Sequence, residues 1–397
     1  MDLKVAYVTR EAFSSDVEGH STASNNIIEA AQKSGIASYV IDIETDATPS
    51  HYPRNYVVLN SLVNKRVYSS FFSSIFFAAN DFFLAPKIAA NLKLSECNLI
   101  HVLNLNKEAY SLTHTLLRVN KPVCLHLFHS PFVLNDDIFR FRKFMFKSGL
   151  YSRILPNHTI TINRSMHNFL IEEFGLDKKR VHYVPLPINI KRFRPMNRED
   201  IRIKYGLPID CPIIGYVGSL DPVRGLFDLL ESFSNVVDTF PDSLLFISYL
   251  RRNGEEVYEA KLHRLAKNPR LKNRVILTGP SPHVEEIYNL ADVVAFPFAR
   301  PYWFDPPLVL LEAMSSGAAV VSTSVGAISE VIQDHYNGVL VPPKDPLLFG
   351  NAISELFSNR NELHRLARNA RKTIVERYSH EEVGNKLLNV YREVQNI

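Results

Sequence analysis

At 397 residues the chain exceeds what one hydrophobic core usually serves, so two domains of ordinary size are expected and a single small module is excluded. It is 46% hydrophobic and 22% charged, which suits buried cores, and its net charge of +4 is too small for the strong field of a bulk nucleic-acid binder. Cys97, Cys124 and Cys211 are an odd set without CxxC spacing, so neither a disulfide framework nor a zinc site is expected, and a reducing cytoplasm fits.

The opening MDLKVAYVTR has no long apolar h-region and reads as a first buried strand rather than a cleavable signal. Short apolar runs then alternate with helical periodicity: an Ala-rich segment after Ser21, then SYVIDI, NLIHVLN and PVCLHLFH. Such runs fit parallel strands buried on both faces. The turn-rich YVPLPINIKRFRP interrupts the pattern, which restarts with CPIIGYVGSL, SLLFISYL, RVILTG, DVVAFPF and AAVVSTS. Two βαβ domains are therefore expected, spanning residues 1–188 and 189–377, with a C-terminal helical segment at 378–397. No run approaches the roughly 18 to 20 apolar residues that cross a bilayer, so membrane contact is expected to be peripheral.

Ligands of open parallel sheets bind beyond the carboxyl ends of the strands, which places the expected site in a cleft between the two domains. Neither a GxGxxG after the first strand nor a GxxxxGK[ST] loop occurs, which argues against a dinucleotide dehydrogenase and a P-loop kinase. The most informative stretch is FDPPLVLLEAMSSGAAVVSTSVGAISEVI, where Pro306 and Pro307 introduce a helix that stops before Gly317. The N–H groups of Leu308 and Val309 at that helix start suit a diphosphate. One turn further in, the carboxylate of Glu312 can accept hydrogen bonds from paired hydroxyls such as those of a ribose. The competing expectation for Glu312 is an exposed helical residue.

At this point the sequence resembles the family 4 glycosyltransferases, retaining, nucleotide-sugar-dependent enzymes of the GT-B fold. The resemblance covers nearly the whole chain through VGSLDPVRGLFDLLESF, ILTG, NLADVVAFPF, LLEAMSSGAAVVST, GAISEVIQDHYNGVLVPP, NLIHVLN and LFHS. It implies an α/β GT-B architecture of two Rossmann-like doubly wound domains facing an interdomain cleft, with the donor on the C-terminal domain and the acceptor on the N-terminal one. It further implies that Arg224 of VRG neutralises the donor diphosphate, a task suited to a planar guanidinium. Gly279 of ILTG and Ser219 of VGS belong to the same implied donor site. Ser219 stands where relatives often carry a second arginine, and Arg251 or Arg252 is the candidate substitute. Of two family glutamates eight residues apart, Glu312 matches the second, while the first falls on Phe304 with Asp305 beside it. Asp305 is equally readable as the N-cap of the helix or as a sugar contact.

In the first domain, His129 of LFHS matches a family histidine beside the reacting sugar, with His126 as its rival. Asn189 and Asn163 are expected to line or brace the hinge. The run FRFRKFMFKSGLYSR carries Arg140, Arg142, Lys143, Lys147 and Arg153 among aromatics, and YSSFFSSIFFAANDFFL at 68–84 is strongly aromatic. The first suggests an anionic membrane surface and a lipid-linked acceptor, while burial explains the second equally well. The expectation is a cytoplasmic retaining hexosyltransferase, peripheral at the inner membrane face. It would take a UDP- or GDP-sugar as donor substrate and a glycan or lipid-linked acceptor, with no cofactor, metal or nucleic acid. Its alternative is a GT-B-like scaffolding subunit that has lost its chemistry, motivated by Phe304 and Ser219.

Overall fold

A computed structural model of the chain describes residues 3–10, 19–44, 56–60, 86–92, 96–103, 116, 120–128, 158–252, 254–301 and 306–395. It divides into two compact units, Met1–Pro187 with His380–Ile397, and Ile188–Ser379. These divisions fall within two residues of the boundaries at 188 and 377 expected from the sequence.

The first unit contains β1 (Lys4–Arg10), α1 (Gly19–Lys33), β2 (Ala37–Glu44), β3 (Tyr56–Asn60), β4 (Leu99–Leu103), β5 (Val123–Leu127), β6 (His158–Thr161), α2 (Arg164–Glu172) and β7 (Val181–Tyr183). The strands pair in parallel in the order β3-β2-β1-β4-β5-β6-β7. Residues on one face of this sheet, among them Ala6, Val8, Ile41, Ile100, Val102 and Leu125, share one apolar core. β4 is buried along its whole length, the reason it reads as a nearly continuous apolar run. The strands β3, β6 and β7 were not anticipated; β6 and β7 are short and carry no such run. Asn163 caps α2, its side chain accepting from the Met166 N–H at 2.7 Å.

The second unit contains α3 (Arg198–Lys204), β8 (Ile213–Ser219), a 3-10 turn (Pro222–Arg224), α4 (Leu226–Thr239), β9 (Leu244–Leu250), α5 (Glu256–Ala266), β10 (Val275–Thr278), α6 (Val284–Leu290), β11 (Val293–Phe296), α7 (Leu308–Ser315), β12 (Ala319–Thr323), α8 (Ile328–Val331), β13 (Val339–Val341), α9 (Pro346–Ser358) and α10 (Arg360–Tyr378). Its sheet is also parallel, ordered β10-β9-β8-β11-β12-β13. Helix α4 presents Leu226, Leu229, Leu230, Phe233, Val236 and Val237 on one buried stripe, the i, i+3, i+4, i+7 spacing of an amphipathic helix, and packs on α9. Each such side chain contributes about 1.5–3 kcal/mol by leaving water.

The amino end of this second sheet is held by a buried ion cluster. Asp292, just before β11, accepts Arg202 and the Ile213 N–H on Oδ2, each at 2.8 Å, and Arg198 and Arg360 on Oδ1 at 2.8 and 2.6 Å. Burial alone would raise its pKa, but these cations and the N–H hold the carboxyl below the usual range.

The last helix, α11 (His380–Gln395), belongs to the first unit and lies along α1. A Cβ on Gly384 would stand 2.3 Å from the Ala30 carbonyl oxygen, so only glycine lets the two backbones approach this closely. Helix α11 inserts Tyr391, whose hydroxyl lies 2.5 Å from Nδ1 of His101 and 3.1 Å from the Tyr7 hydroxyl.

Candidate active site

In the second sheet the strand order reverses between β8 and β11, the switch point at whose carboxyl end open parallel sheets bind ligands. Strand β8 delivers Ser219 there, 5% exposed, and its hydroxyl has no hydrogen-bond partner among the described residues. The 3-10 turn follows at once, with the Asp221 carboxylate accepting from the Val223 N–H at 2.9 Å. Its last residue, Arg224, carries its guanidinium over the Phe298 ring, 5.5 Å from the centroid. Phe298 lies just past β11, and the Ala299 N–H donates to Val223 O at 2.9 Å, so the two sides of the switch point are tied together. Gly225 then turns the chain at φ +71 into α4.

Helix α7 begins at Leu308 after Pro307, with no side-chain cap; its first backbone bond runs from the Leu310 N–H to Pro307 O. The N-cap residue is therefore Pro307, which corrects the expectation that Asp305 caps the helix: the two prolines displace the helical start by two residues. Leu308 is buried and Val309 half-buried. Glu312 is 8% exposed, so the exposed-residue expectation fails. Its Oε2 accepts from the Tyr288 hydroxyl at 3.0 Å. Burial pushes the Glu312 carboxyl up to about 7, against the opposing Tyr288 hydrogen bond and Arg192 charge. The Tyr288 phenol is held well above its usual value, first by burial and then by the Glu312 charge, so it stays a donor.

Gly279 is exposed, follows β10 and accepts from the Ser248 hydroxyl at 3.0 Å. Arg251 is paired with Glu259 at 3.1 Å. Asn189 braces the start of the second unit, accepting the N–H groups of Lys191 and Arg192 at 3.2 and 3.1 Å. His126, in β5, is buried and driven down to about 3 by burial, so it is neutral, with its ring stacked on His101 at 5.3 Å. His129, Phe304, Asp305, the aromatic stretch 68–84 and the basic run 139–153 lie outside the described residues.

The structure thus gathers Ser219, Arg224, Leu308, Val309 and Glu312 in one unit. Tyr288, Arg192 and Glu285 were missed by sequence reasoning. Arg192 donates to Glu285 at 3.0 and 3.1 Å and its charge acts on Glu312, an arrangement with no local signal, since its members lie up to about 120 residues apart in the chain. A cavity of about 460 Å³, lined by Arg198, Tyr288, Asp292, Gly317 and Arg360, opens at the amino end of the sheet, the edge opposite the switch-point loops. Among the described residues no group of three or more His, Cys, Asp or Glu side chains is arranged to hold a metal ion. Nor is any described helix long and apolar enough to cross a membrane.

Residues 197–373 match the family of glycosyl transferases group 1. The group 1 region therefore holds Ser219, Arg224, Gly279 and Glu312. The chain is 28% identical over 232 residues to the D-inositol 3-phosphate glycosyltransferase of Xylanimonas cellulosilytica, covering 56% of this chain and 54% of that one. The chain thus spans about half the length of the first curated relatives it matches. Among solved structures, a glycosyltransferase from Rickettsia africae superposes with a TM-score of 0.77 at 17% identity, over 99% of this chain and 98% of that one. Anabaena Alr3699/HepE, in complex with UDP and glucose, does so with a TM-score of 0.76 at 17% identity, over 98% and 99%. At these identities the likeness is one of fold, and the fold is GT-B: two Rossmann-like parallel sheets with their helices. The group 1 match and the names of these relatives agree with the glycosyltransferase class expected from the sequence.

Proposed function

We propose that this chain is a retaining glycosyltransferase that moves a sugar from a UDP- or GDP-sugar to a glycan or lipid-linked acceptor at the cytoplasmic face of a membrane. The observation that carries the proposal is that Arg224, at the β8/β11 switch point, and the buried carboxylate of Glu312 on α7 both act on Tyr288, with all three inside the group 1 region. A nucleoside diphosphate has the two features that pair would recognise, a dianionic diphosphate and a ribose diol. The UDP bound by the Anabaena structure supports the same donor class.

In this mechanism the acceptor hydroxyl attacks the anomeric carbon on the face from which the diphosphate leaves. The bond from carbon to diphosphate oxygen breaks, that oxygen takes the acceptor proton, and the products are a glycoside of unchanged configuration and a nucleoside diphosphate. Arg224 and the positive end of the α7 dipole, at the Leu308 and Val309 N–H groups, stabilise the departing charge. Ser219 offers a neutral hydrogen bond to the same diphosphate, and Gly279 and Asp305 complete the donor contacts. His129 would hydrogen-bond the transferred sugar, and the basic run from Arg140 to Arg153 would draw the protein to an anionic surface.

Incubating purified protein with UDP- and GDP-sugars and membrane extracts tests the proposal, reading sugar transfer, slow donor hydrolysis and product configuration. A labelled glycoside of retained configuration supports it. Neither transfer nor hydrolysis with any donor would leave the scaffolding alternative.

A further inference from the structure

Glu312 lies in a site where an ionised carboxylate is costly unless it is hydrogen-bonded. Among the described residues a single hydrogen bond reaches its side chain, from the Tyr288 hydroxyl to Oε2 at 3.0 Å. Tyr288 is itself 1% exposed, and the ring of Phe193 packs against it at a tilt, with centroids 6.2 Å apart. The ring is thereby held in place, and the phenol spends its only proton on one of the two carboxylate oxygens.

We infer that Tyr288 is a positioning residue for donor recognition: by tying down Oε2 of Glu312 it fixes the plane of the carboxylate and leaves Oε1 as the oxygen presented to a vicinal diol. This rests on Glu312 being the ribose acceptor proposed above. A diol binds a carboxylate well only when the acceptor is ionised and its lone pairs point at the hydroxyls, since charge-assisted hydrogen bonds are about twice as strong as neutral ones. Tyr288 serves both ends, because its hydrogen bond also favours the ionised form.

Other charged groups face this pair. Arg192, from the segment before α3, lowers the Glu312 pKa, and Glu285, on the same helix as Tyr288, raises it. Arg224, from the 3-10 turn, acts on Tyr288. His283, before α6, lies 3.4 Å from Glu285.

The test is Tyr288→Phe, which keeps the ring and removes the proton. Two readouts are taken from pH 6 to 9: the carboxyl titration of Glu312 in ligand-free protein by carbon NMR, and the affinity for UDP and GDP by calorimetry. Glu312→Gln serves as the reference, since any pH dependence it retains belongs to groups other than Glu312, and thermal unfolding verifies that each variant is folded. The expected result is a Glu312 titration midpoint shifted upward, a loss in nucleotide affinity of about tenfold at pH 7, and a wild-type advantage that narrows towards pH 9. A shifted midpoint with unchanged affinity, or an unchanged midpoint, overturns the positioning role while leaving the donor site standing. Absence of UDP and GDP binding by the wild type overturns the donor site, and the positioning role with it.

Discussion

A Cβ placed on Gly225 would stand 1.6 Å from the carbonyl oxygen of Pro297. The residue after Arg224 is thus pressed against the backbone that leaves β11, at a φ of +71 that L side chains rarely adopt. The basic-residue-then-glycine pair is in this way a single device: glycine permits the close approach, and the approach fixes where the arginine stands.

Gly225→Ala is therefore expected to cost at least about 1–2 kcal/mol from the left-handed conformation alone, and more from the backbone collision. Because the turn must shift, nucleoside diphosphate affinity should fall with it, as in Arg224→Ala. Thermal unfolding and calorimetric titration of the folded fraction check both effects. Wild-type affinity in a folded Gly225→Ala protein would detach the turn from the donor site.

Glu312→Gln should separate stability from binding. The unfolded carboxyl ionises near pH 4.5 and the folded one at about 7, so the folded state binds more protons between these values. Stability of the second unit from this group is complete below about 4.5 and declines as pH rises through 7. Glutamine is never charged, so the ligand-free variant should be at least as stable as the wild type at pH 8, while binding UDP or GDP more weakly. Denaturant unfolding at pH 5 and pH 8 reads the sign, and a variant less stable at pH 8 would refute it.

The buried histidines of the first unit should act with the opposite sign. Burial drives His126 down to about 3, and burial with the neighbouring His126 holds His101 well below its usual value. Unfolded histidine takes a proton near 6.5, so the unfolded state binds more protons below that pH. The stabilisation is complete above about 6.5 and is lost as pH falls, in the case of His126 towards 3, at about 1.4 kcal/mol per pH unit. Amide exchange in β4 and β5 between pH 7 and pH 5 should show the loss, and His126→Gln should reduce its slope. A pH-independent opening energy over that range would contradict this account.

Asp292→Asn leaves three arginines facing one neutral amide at the amino end of the second sheet. Breaking a buried pair such as Arg202–Asp292, whose side chains are 3% and 2% exposed, costs about 3–5 kcal/mol. Urea midpoints should fall accordingly, with nucleotide affinity of the folded protein unchanged, because the cluster lies at the opposite end of the sheet from the Arg224 turn. A loss of affinity without a loss of stability would reverse that assignment.

Much of this was legible because it is written in local pattern. Buried parallel strands read as apolar runs, and the proline pair and Gly317 bracket α7, so Glu312 could be placed on a helix and Arg224 on a turn. Of the two readings open for Asp305, the cap is excluded, because the cap position falls on the second proline. What escaped were partnerships across sequence distance: Tyr288 with Glu312, Tyr391 with His101, and Asp292 with Arg198, Arg202 and Arg360. Nothing in the spacing of such residues marks them as neighbours, because the sheet order brings them together.

A nucleotide-sugar donor site on the second unit is tested by calorimetric titration of UDP and GDP into the wild type, Arg224→Ala and Glu312→Gln. Saturable binding of at least one nucleotide by the wild type is expected, weakened in each variant by about 1.5–3 kcal/mol, the worth of a hydrogen bond to a charged group. Binding by the wild type that neither substitution weakens, or no binding of either nucleotide, would contradict it.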